Sequence, residues 1–208
     1  MSSIFDLFEK IKSPTASATP IEWLIVGLGN PGAEYEGTRH NAGFLAIDAI
    51  AKSLSAKINT AKFRALCADV TVGGVRALLL KPQTYMNLSG ESVKAAADFY
   101  KIPPERILVL SDDVSFDPGI TRIRRKGSAG GQKGVKNIID NLSSEEFPRI
   151  KIGVGKKPHP EMDMADFVLG RLPDADRKKL ESAFGSIIDA VTLILNGKIE
   201  EAMSKYSK

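Results

Sequence analysis

The sequence is poor in the residues that staple a small protein or bind metal within it. Its 208 residues include one cysteine, Cys67, and two histidines, His40 and His159. A single thiol excludes an intrachain disulfide. With no CxxC and no HxxxH, a structural zinc site has almost no ligands to draw on. The free thiol fits a reducing compartment. No apolar run approaches the roughly 20 residues that a membrane-crossing helix needs. The first residues, MSSIFDLFEK, place Asp6 and Glu9 where a secretory signal requires an unbroken apolar stretch. The expected location is the cytoplasm, away from any membrane. There is also no internal repeat.

What is present is the make-up of an ordinary globular chain, 43% hydrophobic and 26% charged, which is enough to bury a core without staples. The net charge of +4 is modest but unevenly placed. Arg122, Arg124, Arg125, Lys126, Lys133 and Lys136 fall between Thr121 and Ile139 with no acid among them, and Arg149, Lys151, Lys156 and Lys157 follow. Such a run is either a solvated basic face or a surface for phosphates.

Apolar periodicity organises the rest. Ile4, Phe5, Leu7, Phe8 and Ile11 form a short amphipathic helix over 4–11, and SPTASATP at 13–20 reads as a linker. Residues 1–20 are thus set apart from a domain spanning 21–208. Within that domain, buried strands are expected at 22–29, 106–113, 119–125 and 148–155. A hairpin over 63–80 turns at Gly73-Gly74. Helices are expected at 42–55, 89–100 and 134–142, with a long one from Pro173 to about Leu195 and a short one after it. The fold class is α/β: a single domain with a mixed, twisted β-sheet and helices on both faces.

GLGNPG puts glycines at 27, 29 and 32 directly after a strand, which satisfies the dinucleotide pattern GxGxxG. The context argues against it. Pro31 and Gly32 prolong a loop where the crossover helix should already run. Asp48, the acid at the right distance, lies inside a helix, and the next strand belongs to a hairpin. No nucleotide cofactor is expected.

Polar residues gather where strands end. Asn30 follows the first strand, and Asp112 ends the run ILVLS. His40 sits at a loop-to-helix junction within reach of the same crevice, and Asn87 precedes a helix. A histidine held by a carboxylate takes a proton from water near neutral pH. No covalent nucleophile stands out, since GxSxG is absent and Cys67 is mid-strand. Each of these residues also has an ordinary structural role open to it. His40 suits a cap or core contact, Asn30 and Gly32 a turn, and Asn87 a helix N-cap. Asp113 competes with Asp112 as the carboxylate that matters.

Four motifs in order, GLGNPGAEYEGTRHNAGF, KPQTYMNLSGESV, DDVSFDPGITRIRRKGSAGG and FPRIKIGVGKKP, make residues 22 to about 204 resemble the bacterial-type peptidyl-tRNA hydrolase family. The resemblance implies hydrolysis of the ester joining a peptide to tRNA, by a monomer that needs no metal or other cofactor. It makes His40 the general base and Asp112 its orienting carboxylate. Asn30 becomes the residue that separates N-blocked peptidyl from free aminoacyl groups, and Asn87 a substrate and oxyanion ligand. Tyr35 and Tyr85 match contacts to the tRNA acceptor end. Arg122, Arg124 and Lys151 match basic positions that grip phosphates there and near the 5′ end. One departure stands out: the family commonly shows His-Asn after the double glycine, and here Gly130-Gly131 is followed by Gln132-Lys133. That substitution is the sole support for the alternative of a non-catalytic RNA-binding relative, which the retained Asn30, His40, Asn87 and Asp112 oppose.

Overall fold

The computed structural model describes residues 19–207, so the amphipathic helix expected over 4–11 lies outside the described residues. In chain order the elements are β1 (Trp23–Gly27), α1 (Ala42–Ser53), β2 (Thr60–Lys62), β3 (Ala65–Val72), β4 (Val75–Pro82), α2 (Ser89–Tyr100) and β5 (Ile107–Asp113). They continue with β6 (Thr121–Arg124), α3 (Lys133–Leu142), β7 (Arg149–Gly153), α4 (Met164–Leu169), α5 (Asp174–Ser182), α6 (Phe184–Leu195) and α7 (Ile199–Tyr206).

The strands that read as unbroken apolar runs are buried on both faces, as strands at the centre of a covered sheet must be. All five residues of β1 and all seven of β5 are buried. The sheet runs β2-β3-β4-β1-β5-β7-β6, with β4, β1, β5 and β7 parallel and the outer strands antiparallel to their neighbours. Alternate residues feed two cores. Ile25, Leu79, Leu108 and Leu110 pack under α1, α6 and α7, while Leu24, Val26, Leu80 and Val109 pack under α2 and α3. The sheet is therefore mixed with helices on both faces, as the sequence implied.

The hairpin turns at Gly73 and Gly74, both at positive φ, where glycine carries no steric cost. One expectation needs correction. The single helix from Pro173 is two, α5 and α6, divided at Ala183. Of α5 only Leu180 is buried, whereas α6 buries five residues against the sheet; the break lets α6 turn its apolar stripe inward. Two short elements also went unread. β2 is three exposed edge residues, and α4 is only six residues long, each too brief for periodicity to show.

The glycines of the dinucleotide-like motif have packing roles. A Cβ at Gly27 would strike the Gly43 carbonyl and Ile47, and one at Gly29 would strike the Phe44 ring. Gly43 in turn faces the Leu28 backbone and the Leu110 carbonyl. Strand and helix thus touch backbone to backbone, which sets α1, and the loop ahead of it, over the carboxyl end of β1.

Candidate active site

A cleft of roughly 630 Å³ opens at the carboxyl ends of β1 and β5, where ligands bind in open α/β sheets. His40 enters it from a 3-10 turn (Arg39–Asn41) that runs into α1. That loop is tied to the chain around α4. The Arg39 guanidinium donates to the Arg171 carbonyl at 3.0 Å and stacks on Phe167 at 4.5 Å, and the Leu172 N–H donates to the Gly37 carbonyl. His40 Nδ1 lies 2.8 Å from Oδ2 of Asp112. Both residues are nearly closed to solvent, at 8% and 4% exposure. Asp112 is therefore no surface carboxylate, and the ring's Nε2 remains the unengaged nitrogen beside the cleft.

Asp113 points elsewhere, into an ion pair with Lys151. Burial alone would raise its carboxyl, but the Lys151 ammonium and the Ser115 N–H outweigh that and hold it below the ordinary carboxylate range.

Asn30 is fixed at three points. Asn41 accepts the Asn30 N–H at 2.8 Å and donates to the Asn30 carbonyl at 3.0 Å, so one side-chain amide closes both backbone groups. The Asn30 side-chain oxygen accepts the Met86 N–H at 2.7 Å. Its NH₂ is thereby left as the free end beside the cleft. Asn87 is exposed in the 3-10 turn Met86–Leu88 and does not cap α2, whose N-cap is Leu88 without a side-chain bond. Tyr85 is 56% exposed at the cleft, and Tyr35, outside the lining, meets it edge-on with ring centroids 6.3 Å apart.

On the far wall, Gln132 and Lys133 follow the glycine loop, and Gln132 bonds Asp112 Oδ1 at 3.0 Å. Met164, Ala165, Val168 and Leu169 of α4 supply an apolar side. The pairing of β6 with β7 sets Arg122 opposite Lys151 and Arg124 opposite Arg149, so all four cations share one face of the sheet. Arg149 is buried, and its guanidinium donates to the carbonyls of Ser128 and Glu145. Burial lowers its pKa, a shift opposed by Glu145. Arg122 lies over the Phe116 ring at 5.2 Å, whereas Arg124 is exposed.

The cleft thus assembles His40, Asp112, Asn30, Asn87, Tyr85 and Lys151. Tyr35, Arg122 and Arg124 stand outside its lining. Sequence reading did not single out Asn41 or the α4 wall; it named Gln132 only as part of the departure after the double glycine and Arg149 only as one charge of the basic run. Asn41 lay within a quoted motif and Gln132 directly after one, but the partners of a side-chain amide depend on tertiary geometry. Among the described residues no three His, Cys, Asp or Glu side chains stand together as a metal cluster, and no serine, threonine or cysteine hydroxyl or thiol is bonded to His40.

A buried histidine–carboxylate pair, amide donors and a cationic face meet at the carboxyl edge of a mixed α/β sheet, an arrangement consistent with a hydrolase. A family model described as peptidyl-tRNA hydrolase matches residues 24–208. A peptidyl-tRNA hydrolase of Agathobacter rectalis is 50% identical over 186 residues, covering 89% of this chain and all of that protein. One from a Thermoanaerobacter species is 48% identical over 185 residues, covering 89% and 99%. The crystal structure of peptidyl-tRNA hydrolase from Acinetobacter baumannii superposes with a TM-score of 0.84 at 35% identity, covering 89% of this chain and 94% of that one. The chain belongs to the peptidyl-tRNA hydrolase family.

Proposed function

We propose that this chain hydrolyses the ester between the peptide and the terminal ribose of peptidyl-tRNA, returning tRNA for reuse, and that it works as a cytoplasmic monomer. The observation that carries the reading is the buried His40–Asp112 pair beside the cleft of a chain in this family. Asp112 holds Nδ1, so Nε2 takes the proton from a water that attacks the ester carbonyl. The tetrahedral oxyanion is met by the amide of exposed Asn87. The proton then passes from His40 to the departing ribose oxygen.

The free NH₂ of Asn30 gives the selectivity. It donates to the carbonyl oxygen of an N-blocked residue, whereas an α-ammonium offers no acceptor and repels the donor. Tyr85, backed by Tyr35, gives a base at the acceptor end a face to stack on. Arg122, Arg124 and Lys151 draw in the phosphates of the acceptor stem and 5′ end. Like charges set opposite one another across a strand pair are unfavourable until an anion comes between them, which supports that role.

The test is release of N-acetylated aminoacyl-tRNA measured beside the unblocked form. Rapid release of the blocked substrate alone is the expected result. Binding of both without release would favour the RNA-binding relative instead.

A further inference from the structure

Gln132 uses both ends of its amide inside the protein. Its Oε1 accepts the Val135 N–H at 2.8 Å, capping α3. Its Nε2 donates to Oδ1 of Asp112 at 3.0 Å and lies 3.2 Å from the Met86 sulfur. The other oxygen of Asp112 faces His40 Nδ1 at 2.8 Å. The carboxylate is therefore engaged at both oxygens, one toward the base and one toward the helix.

We infer that Gln132 is a positioning residue for the hydrolysis, aligning Asp112 so that Asp112 can align His40; this rests on the reading that the His40–Asp112 pair runs the reaction. A carboxylate bonded through one oxygen turns readily about its terminal torsion, which is broad. A second donor on the opposite oxygen fixes the plane and aims Oδ2 at Nδ1. The donor is itself fixed, because its amide is clamped by the first turn of a ten-residue helix whose Val135 and Ile138 are buried in the core. Alignment thus passes from backbone to amide to carboxylate to imidazole.

The residue type follows from the task. One planar group must accept from the helix and donate to the carboxylate; glutamine does both, while lysine only donates and ionised glutamate only accepts. A neutral donor also leaves the charge of the pair unchanged. The other charged groups around the cleft are Asp113, Lys133, Arg149, Lys151 and Asp163, and none of them bonds Asp112. The amide of Gln132 is accordingly not available to hold the tRNA end, and only Lys133 of this pair is exposed at the cleft.

The experiment compares Gln132→Ser, Gln132→Met, Gln132→His and His40→Ala in the full chain, using release from N-acetylated aminoacyl-tRNA. Serine keeps the helix cap but is too short to reach Asp112, methionine loses both bonds, and histidine again offers an N–H and a ring acceptor. Serine and methionine should lower kcat about tenfold or more at constant KM, since an ångström of misplacement costs up to about a hundredfold. The acid limb of kcat should move to higher pH, because Asp112 freed of a donor presents more negative charge to His40. Gln132→Ser should melt like the wild type, and Gln132→His should recover most of the rate. Wild-type kcat and pH profile in Gln132→Ser, with His40→Ala inactive, would remove Gln132 from the mechanism and leave the pair intact. An active His40→Ala would instead overturn the pair itself. A raised KM with kcat and pH profile unmoved would assign Gln132 to tRNA binding, and a lowered melting temperature with an unmoved profile would make it purely structural; either outcome overturns the inference.

Discussion

The two sides of the cleft are built on opposite principles. Around the β1 loop nearly every polar group is closed internally: Asn41 covers the backbone of Asn30, Asn30 covers Met86, and Asp112 covers His40. On the other side, β7 brings Arg149 and Lys151 to the cleft and β6 sets Arg122 and Arg124 opposite them just outside its lining, all on one face, with Asp113 neutralising only Lys151. The first arrangement is complete without a ligand and suits chemistry, which needs fixed geometry. The second gains a counter-ion when phosphate arrives, which suits binding. Geometry is set on one side and charge is held in reserve on the other.

The comparison predicts that rate resides on the internally bonded side. His40→Ala should lower kcat by about 10²–10⁴-fold while tRNA affinity stays near normal, because no other group can take the proton. Single-turnover release with a parallel binding assay measures both, and near-normal turnover would mean the side contributes only structure. Asp112→Asn should also slow release and move the acid limb to lower pH, since the negative charge that favours the imidazolium is gone. An unmoved limb would detach Asp112 from His40.

Stability should divide along the same line. Asn41→Ala leaves the buried N–H and C=O of Asn30 without their partner, at a cost of about 1–3 kcal/mol read from denaturant melts. Lys151→Ala acts through pH. The depressed carboxyl of Asp113 contributes stability that is fully present above its unfolded value and is lost as pH falls through the folded one. Without Lys151 the carboxyl of Asp113 rises from that depressed position, since burial is then opposed by the Ser115 bonds alone. The variant should be less stable than the wild type near neutral pH, and the deficit should shrink as pH falls through the carboxylate range toward the depressed wild-type value. An equal deficit at every pH would show that the pair does not govern the titration.

The smallest effect belongs to the reserve charge. Arg124→Ala should flatten the salt dependence of tRNA binding by about one unit of log–log slope and leave saturated turnover unchanged. Lys151→Ala should flatten it less, because Asp113 already holds that ammonium. Equal slopes for the two variants would erase the distinction between them.

Much of this was legible in the chain. Runs such as WLIVG and ILVLS have to be strands covered on both faces, and Gly73-Gly74 between alternating residues has to turn a hairpin. Four ordered motifs carried the family, and with it His40 and Asp112. Local pattern alone left Asp112 and Asp113 open and only the resemblance chose between them, because neighbouring residues of a strand point to opposite faces and the register is set by pairing with β7.

What the sequence by itself determined is the inventory: two-sided strands, amphipathic helices, a cationic stretch and one histidine near the strand ends, all properties of local pattern. Tertiary structure alone decided which partner each polar group takes. It gave Asp112 to His40, Asp113 to Lys151, Asn41 to Asn30 and Gln132 to Asp112, across separations of up to 72 residues. The physical reason is that a hydrogen bond needs its two atoms within about 3 Å. Side chains so far apart in the chain reach that distance only after the two cores have fixed the sheet, seated α1 against β1 and set α3 beside the end of β5.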